Sequence, residues 1–591
     1  MGAERHVSIA SICCVFATAC GGSPPSGAES VCVAREEGLI LVDDFRGVGG
    51  RTRLDTTMTS APRSLVERSD EGVKVTVGAG ASAGGWTMAL TPQDRALDLS
   101  AVLPPAVESA CQTAVTALEF DGLFGTPGRR LSFAFLSVEG ERLFSASTTL
   151  TSTPTPWRVE LGAMGRAARV AFTLEDAEPR DFVRLRALRF GVMMPAVTPA
   201  LRYFIWTYGL LLANWDQATG LVQDKASVRP GMFDAVQATG GLAAASAVAF
   251  QLGVIAKSDA VRIVRTIGST LRERLPRFHG LWPHWVRVRG GGDLAIVDGT
   301  EWSSIDTVIA AVGLLAAEQA LDLDTSDTEA FLGAIDWDDL ATASGLSMGY
   351  APNHKPLGGR WDSFGGEFWL MALAHAGATG RLPAIAYPTP PTANGSGFID
   401  ELAWNFTRMP EVPDAFGNDW AEYAREASRV QRGYFGTMYP NSCIAREALF
   451  GLSAAEAPTG DRYLAFGVGG RSSSTLDGFG YYGTPVVAPH YAAMVASILP
   501  EDAAQMWSWL YGHGLMSPLT HVDSLMFGDD VGCDERSGVW TQLRGSWDLT
   551  LETLGWGRAA ARERGETPIL WMSTDHNRLL RRGYAVLVPA P

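Results

Sequence analysis

Two patterns of hydrophobic and polar positions divide the chain. From about 31 to 198, apolar residues recur at every second position: VKVTV at 73–77, Leu131, Phe133 and Phe135, WRVEL at 157–161, and more loosely DFVRLRALRFGV at 181–192. A period of two sets one face of a strand against a core and the other in water. Gly, Pro, Ser and Thr punctuate the gaps, so the pattern predicts short strands stacked in a jelly-roll-like β-sandwich.

From about 199 to 591 the texture is helical. GGLAAASAVAFQLGVIA (240–256), VIAAVGLLAAEQAL (308–321), EFWLMALAHAG (367–377) and VAPHYAAMVASIL (487–499) are apolar nearly all round. Gln251, Glu318 and His490 break any membrane-like run, so these segments predict buried helices. They alternate with more polar helical stretches at 258–275 and 418–431. Buried inner helices alternating with amphipathic outer ones predict a closed toroid of helical hairpins, although no sequence repeat accompanies it. The expected architecture is therefore multidomain, a β-sandwich followed by an all-α toroid.

The first residues belong to neither pattern. MGAERHVSIASICCVFATAC has one basic residue, a short apolar stretch and small residues before Cys20, followed by GGSPPSGAES. This arrangement resembles a bacterial lipoprotein signal peptide of residues 1–19, with a flexible tether over 20–30. It implies cleavage before Cys20, lipid on its sulfur and new amine, and a place in the cell envelope, with the outer membrane expected. The mature chain then keeps Cys32, Cys111, Cys443 and Cys533 besides Cys20. Four cysteines allow three pairings; one bond within each domain would join Cys32 to Cys111 and Cys443 to Cys533.

Composition narrows the partners. The formal net charge of −16 argues against nucleic acid and other polyanions, and favours a neutral or cationic ligand. Sixteen of the 18 tryptophans lie beyond residue 199, many beside Gly, Asp or Ser in expected inter-helix loops. Flat rings in a cleft stack on the C–H face of a sugar, so carbohydrate is the leading ligand class. No H-E-x-x-H spacing, no Walker loop and no G-x-G-x-x-G between strand and helix is present, and neither metal nor cofactor is expected.

The densest chemistry is VDGTEWSSIDT, residues 297–307, which runs into an apolar helix. Ser303 followed by Asp306 reads as a helix start, in which the hydroxyl takes an unpaired N–H and the carboxylate faces the positive end of the helix dipole. Asp298 and Glu301 precede that cap beside Trp302 and are left over for acid–base chemistry.

Several blocks together resemble the bacterial glycoamylase-like domain family. They are TGLVQD (219–224), AVQATGGLAAASAV (235–248), HGLWPHW (279–285), EWSSIDTVIAAVGLL (301–315), GRWDSFGGEFWLMALA (359–374), YFGTMYPNSCIAREAL (434–449) and STLDGFGYYGTPVVAPHYAAMVASILPE (474–501). The resemblance spans 199–591. It implies an (α/α)6 barrel and glycoside hydrolysis, with endo-β-1,2-glucanases among the members. Where the family carries an Ala-Ser-Asp turn, this chain reads RSSST, with Ser474 in the aspartate's place and Asp477 three residues on. That departure bears on linkage specificity.

Glycoside hydrolysis needs one carboxyl group held protonated and one held ionised across the scissile bond. The resemblance implies Glu301 and Glu367 as catalytic carboxyls with Asp298 alongside. Asp306, His284, Trp282, Trp302, Trp361, Asn441, Asp477 and Tyr482 are the candidate substrate contacts. The leading expectation is a lipid-anchored hydrolase of a β-glucan, most simply β-1,2-glucan. A non-catalytic glycan-binding lipoprotein is the alternative. A polysaccharide lyase would want a basic groove for uronates, which the net charge disfavours.

Overall fold

The computed structural model describes residues 31–43, 58–69, 72–91, 96–162, 164–225, 233–288, 292–342, 345–361, 365–383, 396–458, 463–468, 486–527, 538–541 and 545–588. The expected signal peptide, Cys20, the tether, Ser474, Asp477, Tyr482 and Cys533 lie outside these residues. No helix among the described residues is long and apolar enough to cross a membrane.

The alternating segments form two antiparallel sheets. One has seven strands, in the order Arg35–Asp43, Ala187–Pro195, Ala114–Gly125, Phe182–Leu185, Gly72–Val77 and Ser64–Ser69, with Thr155–Glu160 also paired to Ala114–Gly125. The other has five: Met58–Ser60, Gly84–Ala89, Arg169–Glu175, Arg130–Leu136 and Arg142–Thr149. Their inner faces meet through aromatic rings, with Phe120 of the first sheet 5.7 Å from Phe133 and 5.9 Å from Phe172 of the second. The segment 181–192, read from sequence as one loose strand, is two. Arg186 separates them and donates its N–H to the Asp121 carbonyl, which accounts for the slipped alternation. Cys32 and Cys111 are bonded, as a pairing within the domain requires.

The helical part starts at α1 (Pro199–Ala213) and contains α2 (Val236–Gln251), α3 (Ser304–Ala320), α4 (Gly366–Thr379), α5 (Gly397–Glu401), α6 (Pro489–Met494) and α7 (Ser546–Glu563). Among the described residues, α2 packs on α3, α3 on α4, α4 on α5, α5 on α6, α6 on α7, and α7 returns to α2. Each ring helix also has an outer neighbour. These are Lys257–Ser269 on α2, Ile569–His576 on α3, Arg578–Leu587 on α4, Trp420–Met438 on α5, Pro500–Gly512 on α6, and α1 on α7. The two-sided packing explains why α2, α3 and α4 are apolar all round, since neither face of a ring helix meets bulk water.

Close approach sets part of the ring's geometry. A Cβ on Gly240 of α2 would fall on the backbone of Ala310 in α3, so only glycine permits that contact. Gly253, at φ +71°, follows the C-cap of α2 and ends the helix earlier than the apolar run to 256 predicts. The run 487–499 is likewise helical only over Pro489–Met494. α1 is apolar all round because the sheets cover its outer side: Leu103 packs against Gly209, and Arg202 pairs with Glu36. The two parts also join through Glu108, whose N–H donates to the Val254 carbonyl at 2.9 Å.

Candidate active site

The N-terminal ends of α2, α3, α4 and α7 each carry polar residues, Gln237, Asp306, Glu367 and Asp548 among them. Ser303 caps α3, its hydroxyl accepting the Asp306 N–H at 3.3 Å as the sequence pattern predicts. Trp302–Ser303 pairs with Gly349–Tyr350 on one side. On the other, the His284 N–H donates to the Glu301 carbonyl at 3.0 Å and the Trp285 N–H to Thr300 Oγ1 at 3.1 Å. Laying 282–285 beside 300–303 in this way brings two distant polar side chains into contact.

His284 Nδ1 lies 2.7 Å from Glu301 Oε1 and 3.6 Å from Asp306 Oδ2. Burial opposes a charge on His284, but Asp306 and the bond to Glu301 outweigh it and hold its pKa up at about 9. The imidazole is therefore a cation at neutral pH. Gln237 Nε2 is placed 3.1 Å from His284 Nε2; both nitrogens of a charged imidazole donate, so pairing there requires the amide turned over to present its oxygen, which is otherwise buried without a donor. Trp285 stacks on the ring at 4.0 Å and fixes its plane.

The carboxyls around this cation differ. Burial pushes Glu301 upward, yet the hydrogen bond and charge of His284 bring it below the ordinary glutamate value, so it is ionised. Glu367, in the first turn of α4, is 5% exposed. Burial, with the nearby charge of Asp306, pushes its pKa up to about 8, so it keeps its proton at neutral pH. Asp306 itself is raised by burial, with His284 pulling the other way. One carboxyl is thus a neutral acid and another an ion.

A second buried polar group lies further round the ring. Lys225 is hydrogen-bonded to Glu456 and lies 3.4 Å from Asp224, whose charge also reaches His284 and Asp306. His521 lies 3.3 Å from Asp523 and 3.0 Å from Glu552, while His490 Nδ1 is 3.7 Å from Asp548. Burial raises Asp548 and Glu552 well above ordinary carboxyls and lowers His490 to about 3.

No protein-family model and no curated protein matches the chain. Solved structures do. A β-1,2-glucanase from Parabacteroides distasonis covers 93% of this chain and 99% of its own, with TM-score 0.52 at 11% identity. Candidate glucoamylases from Bacteroides caccae and Bacteroides uniformis each cover 66% of this chain, and 98% and 97% of their own. Their TM-scores are 0.51 and 0.50, at 16% and 13% identity. The chain shares their fold. They are the kinds of protein that the sequence blocks resemble, and at these identities the likeness is one of architecture.

Of the residues singled out from sequence, the structure joins Glu301, His284 and Asp306 directly and sets Glu367 within the field of Asp306. Trp361 is partly buried, and its indole donates to Ser304 Oγ at 3.1 Å, over the start of α3. Trp302 is 7% exposed and packs on Phe278. Trp282 is corrected: it is fully buried, stacked on Phe331 at 4.0 Å, and fills core rather than facing a ligand. Asp298 lies exposed in the turn before Glu301, outside the hydrogen-bonded set. Asn441 is exposed beyond the helix Trp420–Met438, its carbonyl accepting from Arg446. Cys443 is disulfide-bonded, and its expected partner is outside the described residues.

Gln237, Asp224, Trp285 and the Lys225–Glu456 pair escaped the sequence reading as site residues. Gln237 did carry a signal, as a lone amide in an otherwise apolar helix start. Among the described residues, two groups bring three ligand atoms close enough to hold a metal ion: His284, Glu301 and Asp306, and the exposed His279, Asp336 and Asp339. At the first, the charge on protonated His284 offsets one of the two carboxylates.

Proposed function

We propose that the chain is a glycoside hydrolase acting on a β-glucan, with Glu367 as general acid and Glu301 as the ionised partner. The observation that carries this reading is geometric: Glu367 is buried at the start of α4 while Glu301 lies 2.7 Å from His284 Nδ1, two settings that favour a protonated and an ionised carboxyl. In the reaction Glu367 gives its proton to the glycosidic oxygen as the bond breaks. Glu301, held ionised by His284, activates water or attacks the sugar carbon. The ring of paired helices is read as an (α/α)6 toroid, and its contact order supports that.

β-1,2-Glucan is the substrate proposed, on the sequence resemblance and on the likeness to the Parabacteroides distasonis enzyme. The two-sheet unit over 31–198 is proposed to be a jelly-roll-like carbohydrate-binding module, leaving 199–591 as the catalytic unit. Lipid on Cys20, with 1–19 removed and 20–30 as tether, would fix the protein in the outer membrane. Incubating the purified protein with linear β-1,2-, β-1,3-, β-1,4- and β-1,6-glucans, and assaying reducing ends, tests the activity. Reducing ends from β-1,2-glucan are expected. Products absorbing in the ultraviolet would point to a lyase, and an absence of products to a binding protein.

A further inference from the structure

The sequence points to tryptophans as platforms for sugar rings, but the described tryptophans are all partly or fully buried. Among the described residues, Tyr463 is the one tyrosine, tryptophan or phenylalanine that is exposed, at 45%. Backbone pairing sets its place. Tyr463–Ala465 runs antiparallel to Ala454–Glu456, with Tyr463 opposite Glu456, and the Tyr463 hydroxyl donates to the Ala454 carbonyl at 3.0 Å.

The groups behind the ring show which surface it belongs to. Lys225 Nζ lies 5.6 Å from the ring centroid and is itself held by Glu456 and Asp224. Lys225 also pairs with Gly545, and the Ser546 N–H donates to the Asp224 carbonyl at 2.7 Å, so this support is fixed to the start of α7. Burial and the charges of Asp548, Asp523, Glu456 and Asp224 hold the Tyr463 hydroxyl well above an ordinary tyrosine pKa. A crowded hydroxyl beneath an open ring face describes the wall of a recess at the mouth of the helical ring, not a convex outer surface. Asp224 joins this wall to the acid site, since its charge also reaches His284 and Asp306.

What remains open selects the occupant. The hydroxyl is committed to Ala454, and the ammonium behind the ring to Glu456 and Asp224. The ring therefore offers its flat face, whose negative π cloud attracts C–H groups of slight positive charge. The C–H face of a pyranose supplies a row of them. An anionic sugar would come up against four acidic residues with one lysine among them, so a neutral one is favoured. Because the backbone pairing and the hydroxyl already hold the ring, little freedom is lost when a sugar settles on it.

We propose that Tyr463 is a stacking platform for a neutral glucosyl residue of the substrate, in a subsite on the α7 side of the ring's mouth. The identity of the ligand rests on the glycan reading above. Calorimetric titration of full-length Glu367→Gln with a linear β-1,2-linked glucose heptasaccharide measures binding apart from turnover. Adding Tyr463→Ala should raise Kd by roughly 5–10-fold, the scale of one aromatic contact, and Tyr463→Leu, apolar but not flat, should do the same. Tyr463→Phe keeps the ring and gives up the hydroxyl, and should stay within about 2-fold of its parent. Unchanged Kd values in Tyr463→Ala and Tyr463→Leu, or an equal loss in Tyr463→Phe, would overturn the platform. If the wild type meanwhile releases reducing ends from β-1,2-glucan, the hydrolase reading survives that result. Binding that Tyr463→Ala weakens, without any hydrolysis by the wild type, would keep the platform and overturn the hydrolase. No binding by Glu367→Gln would overturn the platform, and a wild type that also releases no reducing ends would overturn both.

Discussion

His284 Nδ1 lies 2.7 Å from Glu301 Oε1, and that contact sets the charge of the site. An opposite charge this close moves a carboxyl pKa by about 1–3 units. His284→Gln keeps a hydrogen-bonding side chain and deletes the cation. The acid limb of kcat against pH should then move up by about 1 unit or more, while binding of oligosaccharide changes little. An unmoved acid limb would show that the imidazolium does not hold Glu301 ionised.

The wild-type pH profile follows from both carboxyls. Activity needs Glu301 ionised and Glu367 protonated, so kcat should describe a bell. Its alkaline limb should fall near pH 8, where Glu367 loses its proton, and its acid limb below the ordinary glutamate range. A profile still rising at pH 9 would contradict the acid role.

Stability should fall from mildly acidic to alkaline pH. Burial raises Glu367 and Glu401 from 4.5 to about 8, so between those values the folded chain holds protons that the unfolded chain has released. Each such group costs stability as pH rises through that window, by up to roughly 1.4 kcal/mol per unit. His284, raised from 6.5 to about 9, acts in the same direction, its contribution present below 6.5 and lost above 9. His490, lowered to about 3, opposes the trend only between 3 and 6.5. Calorimetry should give a higher Tm at pH 6 than at pH 8.5.

The helix start of α3 separates structure from chemistry. Ser303 supplies the cap, so Ser303→Ala should cost about 1 kcal/mol in chemical denaturation. Asp306 acts on its neighbours instead. Asp306→Asn removes a charge that raises Glu367, and should move the alkaline limb to lower pH. An unshifted limb would reduce Asp306 to a helix-start residue.

Much of this was legible as period and spacing. Strand alternation located Gly72–Val77, Arg130–Leu136 and Thr155–Glu160, and all-round apolarity located α2, α3 and α4. The E-x-S-x-I-D-T block carried Glu301 and Asp306. The tryptophans were less legible, because composition does not say which side of a helix faces the ring. Trp369, Trp404 and Trp420 pack on one another at 5.2–5.7 Å and fill gaps between helices rather than lining a cleft. Acid and base could not be told apart, since burial of Glu367 depends on α3, and Glu301 on a histidine 17 positions upstream.

The division of roles between Glu367 and Glu301 is tested most directly by changing the leaving group. A nitrophenolate departs without needing a proton, whereas a sugar alkoxide needs one. kcat/KM should therefore be measured for Glu367→Gln and Glu301→Gln on a nitrophenyl β-1,2-gluco-oligosaccharide and on the unmodified oligosaccharide. Glu367→Gln should lose about 10²–10⁴-fold on the sugar leaving group and recover most of it on nitrophenolate, while Glu301→Gln stays slow on both. Equal losses on both substrates in Glu367→Gln, or recovery in Glu301→Gln, would contradict the account.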